Sequence, residues 1–172
     1  MRWAPLAIVV AVIGPAVAGS APVFDHRDGV VFPADKAHEL LRPCSRNAPQ
    51  GVTGRWEPNE IQVRELEVRL PQTFVRALRG QAGRFRPMPE PLPTYDRQYA
   101  GIVVGGRKLI YINAFPHKMI DFDGTDIAQD WKKGTTWRHA AVTICDGGPG
   151  FWGAVYDPEQ KTFTDFQFNG VL

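Results

Sequence analysis

The sequence "QYAGIVVGGRKLIYINAF", residues 98 to 115, decides the fold. Two runs rich in Val, Ile and Tyr flank Gly105 and Gly106, and a Gly-Gly pair supplies the positive φ values that a two-residue hairpin turn needs. We therefore predict two antiparallel strands here. "HAAVTIC" (139–145) and "FWGAVYD" (151–157) predict a further strand pair around the "DGGPG" bend, and "TFTDFQF" (162–168) predicts a fifth strand.

A helical region is predicted upstream of the hairpin. "PNEIQVRELEVRL" (58–70) has an apolar stripe at helical spacing, formed by Val63, Leu66 and Leu70. Pro71 interrupts this pattern, and a second helical piece, "QTFVRALRG" (72–80), ends at Gly80. The predicted class is α+β, with the helical region packed on one face of an antiparallel sheet of about five strands.

The first residues have the features of an export signal. Met1 and Arg2 give a positive start, a short apolar stretch follows, and "AVA" (16–18) matches a small-x-small cleavage signature. We predict that residues 1–18 are a signal peptide and that the chain is periplasmic or secreted. No membrane span is expected after removal of the signal.

The remaining chain is predicted to form one domain. Residues 19–55 are expected to be irregular, apart from a short helix in "PADKAHELLR" (33–42), and 56–172 are expected to form the α+β domain. A Pro-rich loop over 80–95 and a polar insertion over 116–138 interrupt this domain.

The charge balance is nearly neutral. The chain has 20 Lys and Arg against 18 Asp and Glu, and removal of the predicted signal takes away only Arg2. Basic residues are scattered along the sequence instead of forming a run. Nucleic acid is therefore not an expected partner.

Cys44 and Cys145 are the only cysteines. In an exported protein an even pair predicts a disulfide. The alternative makes Cys145 a thiolate nucleophile beside a histidine, although no local signature of a cysteine hydrolase is present. The candidate histidines are His26, His38, His117 and His139.

Four acids in the insertion form the best candidate metal cluster: Asp121, Asp123, Asp126 and Asp130. Their order is D-x-D-G-x-x-D, which does not match the register of a calcium loop. Turn and cap roles are the favoured interpretation, and the histidines and cysteines have no zinc spacing. We predict no metal, no cofactor and no catalytic residue.

Aromatic residues give the remaining functional signal. In the predicted strand 151–157, Trp152 and Tyr156 share one face with Ala154, and the other face is also apolar. One face packs on the helix, and Trp131 and Trp137 are candidates to cover the other. The alternative is an exposed aromatic binding surface for a glycan or protein, formed by Tyr99, Tyr111, Trp152 and Tyr156.

The runs "YDRQYAGIVVGGRKLIYINAF" and "CDGGPGFWGAVYDPEQKTFTDFQFNG", with a looser "C…W-x-P-x-E" pattern over 44–60, resemble a group of small exported proteins of Gram-negative bacteria without an established activity. The resemblance covers residues 95–170 best and implies a periplasmic or secreted setting. A helix followed by an antiparallel meander is also similar in layout to cystatin-like domains, which is an analogy of fold alone.

These observations favour an exported, non-catalytic binding or inhibitory module that acts on a protein or cell-envelope component. The alternative is an envelope hydrolase. It would use His139 with Asp146, or the acids between Asp121 and Asp130.

Overall fold

In the computed structural model, which describes residues 25–26, 28–81, 91–118 and 136–170, seven strands form one mostly antiparallel sheet. The strands are β1 (Asp25–His26), β2 (Gly29–Val31), β3 (Val52–Trp56), β4 (Tyr95–Val104), β5 (Arg107–Pro116), β6 (Trp152–Asp157) and β7 (Thr162–Phe168). The helices are α1 (Ala37–Leu40) and α2 (Glu60–Arg79). The predicted α+β class, a helix packed on a sheet, is confirmed; the cystatin-like layout stays a prediction.

The β4–β5 hairpin is the centre of the sheet. Gly105 and Gly106 form its turn with φ values of 56° and 78°, as the Gly-Gly pair predicts. On one side, β5 pairs with β6 and β6 with β7. On the other side, β4 pairs in parallel with β2 along its first half and antiparallel with β3 along its second half.

Strands β1 to β3 come from a stretch that was expected to be irregular or to lie outside the main domain. They contain two to five residues each, and the partner of β2 and β3 in the sheet, β4, lies far away in the sequence. Local periodicity is weak over such short strands. Because β2 and β3 both pair with β4, residues 29–56 belong to the same sheet as the later strands.

Helix α2 runs through Pro71 without a break, so the predicted interruption is wrong. Proline inside a helix removes one backbone hydrogen bond and costs about 3 kcal/mol. Four apolar side chains of the helix, three before Pro71 and one after it, are buried. Together they outweigh this cost, because burial of one large aliphatic or aromatic side chain contributes about 1.5 to 3 kcal/mol. These residues are Val63, Leu66, Leu70 and Phe74.

A capping box starts α2. The Asn59 side chain accepts a hydrogen bond from the Gln62 backbone N–H at 3.0 Å, and the Gln62 side chain accepts one from the Asn59 N–H at 2.9 Å. Both contacts satisfy backbone donors that a helix start leaves open. The helix ends at Arg79, just before Gly80, as predicted.

The first face of the sheet packs on α2. Trp152 and Tyr156 are completely buried there with Tyr95 and Tyr99. A polar contact fixes the helix on this core, because Glu67 of α2 accepts from the Tyr99 hydroxyl at 2.6 Å and from Arg97 Nε at 3.0 Å.

The second face is covered by α1 and by residues 137–151. Phe32, Ala37 and Leu40 pack there on β4 and β5. Trp137 is buried edge-on against Phe115 at a ring-centroid distance of 5.8 Å, as expected for a covering residue.

The predicted strand over 139–145 is wrong. This segment crosses the second face without joining a ladder, because side-chain amides take its backbone hydrogen bonds. The predicted short helix over 33–42 appears as α1.

Cys44 and Cys145 form the predicted disulfide, with their Cα atoms 4.8 Å apart. No helix among the described residues is long and apolar enough to span a membrane. The predicted signal peptide 1–18, residues 82–90 of the Pro-rich loop and residues 119–135 of the insertion lie outside the described residues.

Removal of the disulfide is expected to lower the free energy of unfolding by about 2 to 5 kcal/mol, because the closed loop is long. The test is denaturant unfolding of the Cys44→Ser/Cys145→Ser double variant against the oxidised parent chain. The reduced parent should match the double variant. Equal midpoints for all three forms would show that the bond does not contribute to stability.

Alkaline pH should destabilise the fold through Tyr99. Burial, and to a lesser extent the neighbouring Glu67 carboxylate, raises the pKa of the Tyr99 phenol well above its ordinary value of 10.0. Because the pKa is raised in the folded chain, the stability that protonated Tyr99 contributes is complete below about pH 10. It is lost as the pH rises further, since Tyr99 ionises first in the unfolded chain. Tyr99→Phe should show a shallower fall in unfolding free energy as the pH rises above about 10. An unchanged slope in that variant would contradict this assignment.

Candidate functional site

Two amide side chains lie at the centre of the second face of the sheet. Gln98 on β4 and Asn113 on β5 are directly opposite in the register, and both are buried. Asn113 Nδ2 donates to Gln98 Oε1 at 2.8 Å. Buried amides are costly unless their donors and acceptors are used. The remaining groups of this amide pair bind the backbone of another segment.

Residues 137–142 lie over the amide pair. Gln98 Nε2 donates to the carbonyls of Trp137 and Ala140 at 2.5 and 2.9 Å. Gln98 Oε1 accepts from the Val142 N–H at 3.0 Å, and Asn113 Nδ2 donates to the Val142 carbonyl at 2.9 Å. Side chains thus satisfy backbone groups that a neighbouring strand would otherwise satisfy.

Arg46 extends this polar network toward the N-terminal part of the chain. Its Nε donates to the Tyr111 hydroxyl at 3.2 Å, its Nη2 to Asn113 Oδ1, and its Nη1 to Asn169 Oδ1. Asn169 Nδ2 in turn donates to the Ile144 carbonyl at 2.8 Å. One guanidinium therefore joins three distant parts of the sequence.

The glycine-rich bend after Cys145 is held beside the disulfide. The Asp146 N–H donates to Ser45 Oγ at 3.0 Å, and the Gly170 N–H donates to the Ser45 carbonyl at 3.1 Å. Because both cysteines are bonded to each other, the alternative role of Cys145 as a nucleophile is contradicted. The bend acts as a tethered connection.

A pocket of about 430 Å³ opens beside the network. It lies between residues 47–50 and the strands β5 to β7. This volume is within the range of about 300 to 1,000 Å³ that small-ligand sites occupy. We call it the amide pocket, and its lining residues are Asn47, Ala48, Pro49, Gln50, Tyr111, Val155, Asp165 and Gln167.

Asp165 is the carboxylate of the amide pocket. It lies in β7 where the pairing with β6 shifts register between Gly153 and Val155, and its φ is 52°. A positive φ outside glycine costs about 1 to 3 kcal/mol and concentrates at functional sites, and bulges redirect side chains. The irregularity places an exposed carboxylate in the pocket wall.

Hydrogen bonds within the lining hold the 47–50 loop in place. Gln167 Oε1 accepts from the Asn47 N–H at 3.1 Å, and Gln50 Nε2 donates to the Ala48 carbonyl at 2.9 Å. In the part of the chain that the structure describes, these contacts leave Gln167 Nε2 and Gln50 Oε1 for a ligand. The Tyr111 hydroxyl accepts from Arg46, so its own proton is also left to donate.

The four aromatic residues of the alternative binding surface are all buried. Tyr99, Trp152 and Tyr156 lie under α2, and Tyr111 lies on the opposite face. None is more than 2% exposed. An exposed aromatic platform is therefore wrong for these residues, because covering segments pack on both faces of the sheet. Of the four, Tyr111 lines the amide pocket.

Among the residues that the structure describes, those of the hydrolase alternative do not come together in a site. His139 is exposed, and among the described contacts it shares no hydrogen bond or ion pair with Asp146. The four insertion acids, Asp121, Asp123, Asp126 and Asp130, lie outside the described residues.

Sequence reasoning missed a cluster of Asp28, Asp96 and His117, whose candidate ligand atoms lie within 4.8 Å of one another. His117 Nδ1 contacts Asp96 Oδ1 at 2.9 Å, and Nε2 contacts the Pro93 carbonyl at 2.8 Å. Both ring nitrogens thus face protein oxygens. We interpret this cluster as a clamp between the start of β4 and the end of β5. The hairpin register, which the Gly-Gly turn fixes, brings Asp96 near His117, whereas Asp28 joins them only through the pairing of β2 with β4.

The amide pocket was also missed. Its walls come from residues 47–50 and 165–167, which lie far apart in the sequence, and no local motif links them. A cavity of this kind becomes visible only after the disulfide and the polar network are in place.

Gly153→Ala should disrupt the network. A Cβ at this position would lie 2.7 Å from Arg46 Nε and 2.8 Å from the Tyr111 hydroxyl. We expect a loss of about 1 to 3 kcal/mol in unfolding free energy, measured with denaturant. Gly54→Ala is the matched control in a strand, since its Cβ would make only an ordinary contact with Val103 at 3.4 Å. Equal losses in the two variants would argue against a specific clash at Arg46.

Comparison of the chain with protein-family models, with curated proteins and with solved structures gave no match. Function is therefore inferred from the chemistry of the amide pocket and its surroundings.

Proposed function

We propose that the chain is an exported, non-catalytic binding module that holds a hydroxyl-rich glycan segment of the cell envelope in the amide pocket. The observation that carries this proposal is the lining of the pocket. Three side-chain amides, one carboxylate and one phenol hydroxyl surround a space of about 430 Å³, next to the apolar surfaces of Pro49 and Val155.

Amide and carboxylate side chains suit sugar hydroxyls. Each hydroxyl both donates and accepts, and an amide offers a donor and an acceptor on one rigid plane. The Asp165 carboxylate can accept from two neighbouring hydroxyls. The apolar side chains beside these groups offer a contact for the C–H face of a sugar ring.

The charge of the lining supports a neutral ligand. Asp165 is the one acidic or basic side chain among the described lining residues, and Arg46, outside this lining, donates to the neutral oxygens of Tyr111 and Asn113. A polyanion would meet a carboxylate without a compensating cation in this wall. A neutral polyhydroxylated chain meets donors and acceptors of both kinds.

The same lining supports binding over catalysis. Glycoside hydrolysis requires two carboxyl groups flanking the scissile bond. The described lining supplies one, and both cysteines are used in the disulfide. We therefore assign Asp165 to ligand recognition.

Two features support the exported setting. Disulfides form and persist in oxidising compartments, and Cys44 is bonded to Cys145. The predicted signal peptide over residues 1–18 indicates the same setting.

The test is titration calorimetry of the oxidised mature chain with soluble oligosaccharides: a neutral series, an N-acetylated series and a sulfated series. We expect binding of the neutral or N-acetylated series. Asp165→Asn should weaken that binding about tenfold, because a hydrogen bond to a charged group contributes about 1.5 to 3 kcal/mol. Asparagine also tolerates a positive φ, so the backbone at this position is kept.

Asp35→Asn is the matched control, since it removes the same charge from an exposed position outside the lining. It should bind like the parent chain. Absence of binding in all three series, or an equal loss in both variants, would contradict the proposal. Preference for the sulfated series would contradict the neutral ligand class.

A further inference from the structure

The disulfide of the chain lies at the surface. Cys44 and Cys145 are both exposed, although cysteine is among the residue types most often buried in folded proteins. Thiol–disulfide exchange requires that an attacking thiolate reach a sulfur atom, so access governs how readily the bond is reduced. Exposed disulfides are for this reason more labile than the structural disulfides of secreted proteins, and they are the ones that serve in regulation.

Cys44 begins the segment that forms one wall of the amide pocket. We call residues 44–51, which lead into β3, the strap. Arg46, two residues after the bonded cysteine, donates to the Tyr111 hydroxyl, and residues 47–50 line the pocket. The disulfide therefore fixes the strap directly before the residues that build the proposed site.

The strap has no apolar anchor in the core. None of its residues is buried, and none belongs to a hydrophobic cluster of the described residues. Apart from the disulfide it is held by hydrogen bonds, which join Ser45, Arg46 and Asn47 to later parts of the chain. Such bonds contribute little net stability at accessible groups, because water can replace them. A segment with few buried apolar contacts opens easily.

We propose that the Cys44–Cys145 disulfide is a redox switch for the amide pocket: reduction releases the strap and weakens ligand binding, while the sheet stays folded. This inference rests on the proposed function, because it assigns a form of regulation to the same pocket. The ladder between β4 and β5 and the core under α2 include no residue of the strap, so they persist when the strap is released.

The reductant required is a dithiol, such as the active site of a thiol–disulfide oxidoreductase in the same compartment. Its first thiolate attacks one sulfur of the pair, the S–S bond breaks, and the other cysteine leaves as a thiolate. Its second thiol then attacks the mixed disulfide and releases the remaining cysteine. The protein gains two electrons and two protons, and the reductant becomes a disulfide.

Hydrogen exchange tests release of the strap without any ligand. In the oxidised mature chain the N–H groups of Asn47 and Gly170 should be protected, because both donate in contacts of the strap. Dithiothreitol should reduce the bond without denaturant, and these two N–H groups should then exchange at least about tenfold faster. The central N–H groups of β4 and β5 should keep their protection.

Three results of this experiment would overturn the proposal. The first is a bond that dithiothreitol reduces only in denaturant, and the second is unchanged exchange at Asn47 and Gly170 after reduction. The third is loss of protection throughout the sheet, since that would mean global unfolding in place of a local release.

Calorimetry with the neutral and N-acetylated oligosaccharides tests the effect on binding. Reduction should weaken binding at least about tenfold, which corresponds to a strap docked in about a tenth of the reduced molecules or fewer. Reoxidation should restore the affinity. The Cys44→Ser/Cys145→Ser variant should bind as weakly as the reduced chain and should not respond to dithiothreitol.

The outcomes separate the redox switch from the proposed function. Equal affinity of the oxidised and reduced chains would overturn the switch and leave the proposed function in place. Absence of binding by the oxidised chain would contradict the proposed function, and hydrogen exchange would still decide whether reduction releases the strap.

Thermodynamic linkage supplies a reciprocal test. If reduction weakens binding by a given factor, saturating oligosaccharide must raise by the same factor the ratio of reduced to oxidised dithiothreitol that reduces half of the chains. Alkylation of free thiols at fixed ratios measures this midpoint. The sulfated series, which is not expected to bind, is the control and should leave the midpoint unchanged. An unchanged midpoint with a bound neutral or N-acetylated oligosaccharide would overturn the proposal.

Discussion

The second face of the sheet depends on the hydrogen bonds of the Gln98 and Asn113 amide pair. These two side chains bind the backbone of residues 137–142 as a strand would, but from beneath and not from the side. A hydrophobic substitution at either position would leave buried backbone groups without partners, which costs about 1 to 3 kcal/mol for each group. Through Arg46 the same amides also fix the wall of the pocket, so the fold of this face and the proposed binding site share one network.

The strands of the hairpin and of β6 and β7 could be predicted because their information is local. Alternating apolar residues and the Gly-Gly turn specify both strands and register. Two errors arose where tertiary contacts decide. Residues 139–145 look like a strand, but the amide pair satisfies their backbone. Pro71 looks like a helix break, but the buried side chains around it keep α2 continuous.

The disulfide could be predicted from cysteine number and the predicted compartment, whereas the site could not be located. No local motif marks either wall of the amide pocket. Contacts between distant residues hold residues 47–50 beside β7: the disulfide, the Arg46 network and the Asn47–Gln167 hydrogen bond. An exposed aromatic surface stayed open as an alternative because sequence does not say which faces of a sheet are covered. The hairpin register places Asp96 opposite Phe115, two residues before His117, but this pattern alone did not attract a functional interpretation.

The irregular geometry at Asp165 has a consequence for solubility. Strand β7 is the last in the strand order, so its outer edge has no partner strand in the described sheet. An open, regular edge invites copies of a protein to polymerise edge to edge, and natural proteins prevent this with bulges and charges. The register shift in β7, with a carboxylate and a positive φ at Asp165, supplies both protections. A substitution that removed the bulge and the charge at Asp165 would leave a regular open edge and would favour fibres formed edge to edge.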